Sequence, residues 1–145
     1  MNINYMVIPS LLEELPATEN EQAETIKVQD PFQAVELALI NSYNLNFDDV
    51  CIRSRRRDVK QFRQAIHEIL RRHSKLSLGV IGDRTGHYDH ATVLNSKRNV
   101  EQCEFIFHKT GTKYPLLEIF LELETRFLIL WQPEKKKPRL HLIHP

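Results

Sequence analysis

The chain has 145 residues, 41% hydrophobic and 27% charged, with a formal net charge of +1, which fits one compact domain with a modest core. No apolar run approaches the roughly 18–20 uncharged residues of a bilayer span, and the start, MNINYMVIPS, lacks the basic and long apolar stretches of a secretory signal. Cys51 and Cys103 are too few for a disulfide framework or a four-cysteine zinc site, so a cytoplasmic protein with reduced thiols is expected.

In chain order, residues 1–30 carry Pro9, Pro16 and an excess of Glu, Asn and Gln, and are expected to be an acidic, flexible leader with at most a short helix at Ser10–Leu15. Asp30 is a good N-cap and Pro31 suits the first helical position. With Val35, Ala38, Leu39 and Ser42 on one stripe, the spacing predicts an amphipathic helix over Pro31–Tyr43. Asn46 can cap a short helix through Asp48, Asp49 and Val50. The arginine segment Arg53–Arg57 follows as a connector. Asp58 opens the next helix, in which Val59, Phe62, Ala65, Ile66, Ile69 and Leu70 repeat at helical spacing to about His73. Its opposite face carries Lys60, Arg63, Gln64, His67 and Arg71 and is expected to be polar.

Ser77 caps a short helix, Leu78–Arg84, and Thr85-Gly86-His87 reads as a tight turn in which Gly86 is free to take positive φ. A longer helix is predicted from about Asp89 to Phe107, then a loop around Gly111. A last, strongly apolar helix is predicted over Leu116–Trp131. Its apolar residues fall on several faces, which suits deep burial or a seam with a second copy or a protein partner. Gln132–Pro145 forms a basic tail that could pair as a short strand. The domain organisation expected is therefore a leader (1–30), a helical domain (31–131) and a tail (132–145).

The small net charge hides an uneven distribution. Residues 1–30 hold six acidic side chains against Lys27, whereas residues 53–75 hold nine basic ones against Asp58 and Glu68. That asymmetry points to a polyanionic partner. Two short helices joined by a glycine turn, the second opening on small polar residues, have helix-turn-helix spacing. The second helix would enter the major groove by its N-terminal end, where unpaired N–H groups and the helix dipole favour a polyanion. Asp89 can accept from cytosine N4, His90 can donate or accept at a purine, and Ala91 and Thr92 can offer methyl contacts to thymine, while Val93, Leu94 and Val100 anchor the helix from behind.

The stretch Ile81-Gly82-Asp83-Arg84-Thr85-Gly86-His87-Tyr88-Asp89-His90-Ala91-Thr92-Val93-Leu94 resembles the signature of the helix-turn-helix, Trp-repressor-like DNA-binding domain (domain IV) of DnaA, the bacterial replication initiator. The likeness extends upstream through Arg63-Gln64 and the basic loop, covering roughly residues 31–130. It implies an all-α, small multi-helix domain with terminal extensions that binds double-stranded DNA at DnaA-box-like sites. It further implies that Arg55 enters the minor groove, where a narrow A/T-rich groove attracts arginine. Asp89, His90, Ala91, Thr92 and Leu94 take the base-reading positions, and Arg57, Arg63, Gln64, Arg71 and Asn95 the phosphate-clamping ones. Three positions depart from the family pattern: Tyr88 stands where an arginine is usual, Ala91 where Thr or Ser is common, and Asn95 where His is usual. No G-x-x-x-x-G-K-[ST] segment occurs, so no Walker phosphate cradle can form. The expectation is sequence-specific DNA binding that regulates replication or transcription without ATP hydrolysis, with no enzymatic activity, cofactor or metal. Two rival readings are a protein-interaction module that modulates a replication initiator, and a metal-dependent hydrolase using His87, Asp89 and His90. Three adjacent ligands on a tight turn suit zinc geometry poorly.

Overall fold

The computed structural model describes residues 27–51 and 56–133. Asp30 opens the first helix, α1 (Pro31–Tyr43), by accepting the Phe32 N–H at 3.0 Å. Its missing proline N–H costs nothing at the first helical position. Asn44 ends it in the left-handed conformation, φ 56°, donating to Ile40 O, a role Asn tolerates better than most residues. At the start of the one-turn α2 (Phe47–Val50), the Asn46 side chain faces Asp49 at 3.5 Å instead of capping a backbone N–H.

The long central helix, α3 (Arg57–His73), is followed by α4 (Leu78–Arg84), α5 (His90–Thr110) and α6 (Pro115–Leu130). Ser77 caps α4 through Val80 N–H, and Gly111, at φ 80°, closes α5 by donating to Phe107 O. No strand forms among the described residues beyond an isolated parallel bridge between Val28 and Trp131. There Val28 N–H donates to Leu130 O, Gln132 N–H donates to Val28 O, and Trp131 Nε1 donates to Gln29 O. Residues 27–30, assigned above to the leader, are thereby tied to the end of α6. No described helix is long and apolar enough to cross a membrane.

The core lies between α1, α3 and α6. From α6 it takes Leu116, Leu117, Phe120, Leu123, Phe127 and Leu130, a single helical stripe. Burying Phe120 or Phe127 contributes about 1.5–3 kcal/mol each before entropy is counted. The rest of α6 leaves Leu121, Leu128 and Ile129 exposed, so its apolar surplus is not consumed by the core.

The second face of α3 departs from the sequence expectation. Residues 63–70 are all buried, including Arg63, Gln64, His67 and Glu68. The first face packs on α6 and the second is covered by α5 and the turn before it. Polar residues can be buried there because each principal charge has a partner. Glu68 accepts from Arg71 Nε and Nη2 at 2.7 and 2.8 Å and from Arg72 Nε at 2.6 Å. Burial alone would raise the Glu68 pKa, but those two guanidinium groups more than offset it and hold the carboxyl below its usual range.

Candidate nucleic-acid interface

Two glycines set the geometry of the turn between α4 and α5. Gly82 lets the backbone after the turn lie directly on α4: Tyr88 N–H donates to Gly82 O at 2.8 Å. A Cβ on Gly82 would collide with the Tyr88 carbonyl oxygen and press on Asp89 O at 3.1 Å. Gly86 takes φ 120°, where side chains are strained, and a Cβ there would collide with Cys51 O. His87 follows at φ 63°, a left-handed position that His occupies more readily than most residues.

Asp89 then caps α5. Its Oδ1 accepts from both the N–H and the hydroxyl of Thr92, each at 3.0 Å. These bonds lower the Asp89 pKa, so the carboxylate is ionised at neutral pH. The first turns of α5 divide cleanly by side. Val93, Ser96 and Val100 face the core, while His90, Ala91 and Asn95 are exposed and Thr92 and Leu94 are partly so. Arg98 is also exposed and lies four residues beyond Leu94 and eight beyond His90, which places it on the same stripe. The sequence reading overlooked Arg98, although this spacing would have found it.

The predicted basic positions are dispersed. Arg57 is exposed at the start of α3. Arg63 and Gln64 are each only 6% exposed, and the Arg63 guanidinium lies 4.6 Å from the centre of the Tyr88 ring. Arg71 is engaged with Glu68 through Nε and Nη2. Arg55 lies outside the described residues, as do the rest of the leader and tail. The contact between Arg63 and Tyr88 joins α3 to the turn that launches α5.

A buried polar cluster that no sequence pattern announced lies behind the exposed end of α5. The His67 ring is fully buried, with Nε2 2.7 Å from Thr85 Oγ1 and Nδ1 2.9 Å from Ser96 Oγ. Thr85 also donates to Ile81 O at 2.8 Å. With that proton committed, a neutral ring donates from Nε2 to Thr85 and accepts at Nδ1 from Ser96. The Tyr88 ring meets His67 edge-on, centroids 6.0 Å apart.

Burial, reinforced by the Arg63 charge, pushes the His67 pKa down to about 3. Between about pH 6.5 and 3 the unfolded chain protonates this histidine and the folded protein does not, so stability falls as pH falls through that window. The contribution reaches about tenfold in the folding constant per pH unit. Glu68 adds an acid-side loss only below the ordinary glutamate range, so pH 4.5–6.5 isolates His67 from it. Urea titrations across that range should show a steeper pH dependence for the wild type than for His67→Gln; parallel profiles would refute the assignment.

His87, Asp89 and His90 do not assemble a metal site. His87 Nδ1 contacts Asp83 Oδ1 at 3.1 Å and Asp89 is occupied by Thr92. Among the described residues no three His, Cys, Asp or Glu side chains are placed to hold one ion.

Comparison with known proteins agrees with this architecture. Residues 33–100 match the family model described as the bacterial dnaA protein helix-turn-helix. The chain is 36% identical over 72 residues to a chromosomal replication initiator protein DnaA of Gloeobacter violaceus, covering 50% of this chain and 16% of that protein. It is 30% identical over 76 residues to one of a Nostoc species, covering 52% and 17%. It is 39% identical over 62 residues to one of a Synechococcus species, covering 43% and 13%. The match therefore spans about one-sixth of these relatives' length. No solved structure matches the chain. Residues 33–100, running from α1 into α5, are thus similar to the helix-turn-helix segment of bacterial DnaA.

Proposed function

We propose that this protein binds double-stranded DNA at selected sites through the N-terminal end of α5. The observation that carries this reading is the stripe of exposed His90, Ala91, Asn95 and Arg98 with partly exposed Leu94, presented from a turn that Gly82 and Gly86 let pack directly on α4 and on Cys51. Asp89, His90, Ala91, Thr92 and Leu94 would read base edges, and Tyr88 and Ala91 would shift the preferred site from the usual family box. Arg57, Asn95 and Arg98 are exposed and would take phosphates directly. Arg63, Gln64 and Arg71 would act at the margin of the interface, Arg63 by holding Tyr88 in place. Arg55 would enter the minor groove. Occupying such sites would regulate replication or transcription without ATP hydrolysis.

Selection of bound duplexes from a random pool, followed by titration at two salt concentrations, tests the reading. His90→Ala should cost about 1–3 kcal/mol on the selected duplex and much less on a scrambled one. Arg57→Ala should weaken both and reduce the salt slope by about one unit. Equal affinity of the wild type for every duplex at physiological salt would overturn site selectivity.

The exposed Phe105, Phe107, Leu121, Leu128 and Ile129 favour a second reading. In it, the distal half of α5 and the outer face of α6 meet a protein partner or a second copy, and DNA contact is secondary. That reading predicts full function in His90→Ala and Arg57→Ala variants.

A further inference from the structure

We propose that Thr85, His67 and Ser96 form a positioning clip that fixes α5 against α4, and that this clip sets how sharply the exposed end of α5 discriminates between duplexes. The second half of the proposal rests on the duplex-binding reading above; the first half does not.

One imidazole on the middle of α3 bonds to the C-cap residue of the first helix of the pair, Thr85, and to Ser96 in the second turn of the other, at 2.7 and 2.9 Å. Thr85 also donates to a main-chain carbonyl, Ile81 O, while Ser96 gives its one proton to His67 Nδ1 and has Thr92 O 3.2 Å away as the alternative acceptor. The clip thus ties the α4 backbone, through the imidazole, to a short side chain held close to the α5 axis. All three side chains are buried.

Apolar side chains of similar volume would fill this space at no loss of burial, and buried polar groups often cost stability relative to such a filling. Directional bonds add a defined orientation, which apolar packing leaves looser. Ser96 lies six residues, about 9 Å, from His90 along α5. A tilt of about 10° at Ser96 would move His90 by about 1.5 Å, beyond the tolerance of about 0.5 Å that a preorganised site requires.

The test compares Thr85→Val, which keeps the volume and removes the hydroxyl, with Thr85→Ser, which keeps the hydroxyl and removes a buried methyl. Ser96→Ala serves as an independent cut of the other bond should Thr85→Val fail to fold. In the full chain, well below every variant's melting temperature, Thr85→Val and Ser96→Ala should lower the affinity ratio between the best selected duplex and a scrambled one by about fivefold or more. Affinity for the scrambled duplex and its salt slope should not change. Thr85→Ser should keep the wild-type ratio although it is less stable. Discrimination that tracks stability instead, with Ser as damaging as Val, would overturn the positioning role.

Amide hydrogen exchange in the DNA-free protein provides the second arm. Thr85→Val should accelerate the Tyr88 and Thr92 amides about tenfold relative to the amides of α6, and Thr85→Ser should not. Unchanged exchange in Thr85→Val would remove the clip whatever the DNA result. A wild type that fails to discriminate duplexes while its exchange responds as expected would remove the duplex reading and leave the clip.

Discussion

Gly82→Ala should destabilise the protein by about 3 kcal/mol, the upper range for forcing atoms into a packed site, and should abolish selective duplex binding. Melting should fall by roughly 10–14 °C for a domain of this size. Helix propensity argues the other way, since alanine in a helix interior is worth about 1 kcal/mol over glycine. The clash decides the sign. The colliding atom is a main-chain carbonyl, that of Tyr88, with its carbon at 3.0 Å and Asp89 O at 3.1 Å. No side chain can rotate away to relieve it. Either α4 and the start of α5 separate or the bond from Tyr88 N–H to Gly82 O is lost. Gly79→Ala in the same helix is the control, because nothing lies within 4 Å of the added methyl. It should be neutral or mildly stabilising, by up to about 1 kcal/mol. Thermal melts that move the two variants in the same direction would show that propensity, not close approach, governs this position.

Much of this architecture is written locally. Asp30-Pro31, Ser77 and Asp89 each announce a helix start because a cap is made by a side chain and an N–H two or three residues apart. Gly86 and Gly111 announce breaks because few other residues accept positive φ. The predicted α1 and α4 match the observed bounds, and the N-terminal end of α5 is exposed.

The buried second face of α3 was not legible. Arg63, His67 and Glu68 carry the signature of a solvated face in a single-helix view. Arg63 and His67 are covered by residues 18 to 29 positions away, Thr85, Tyr88 and Ser96, and Arg72, the partner of Glu68, reaches Glu104 32 positions away. Periodicity reports how many faces of a helix are apolar. It cannot report that a polar face has been matched, group by group, by a polar face elsewhere. The surplus apolar side chains of α6 show the converse limit. Their number indicated burial on several sides, whereas one stripe is enough to close the core.

Glu68→Ala should be the most damaging change outside the turn, at about 3 kcal/mol. Breaking a buried ion pair by removing one partner typically costs about 3–5 kcal/mol. The lower end applies because the stranded groups retain some water: Arg71 and Arg72 side chains are 28% and 24% exposed. Arg72 also keeps Glu104 on α5, with bonds at 2.7 and 3.0 Å. Through Arg72, Glu68 fixes α3 to the distal half of α5, as His67 fixes it to the proximal half. The loss should therefore persist at high salt, where a surface pair would already be screened. Glu68→Gln separates charge from volume: it fills the site but cannot balance two guanidinium groups, and it should recover less than half of the lost stability. Denaturant titrations of the wild type and both variants at low and high salt would measure this. A Glu68→Gln protein as stable as the wild type would mean that packing around residue 68, not its charge, holds α3 and α5 together.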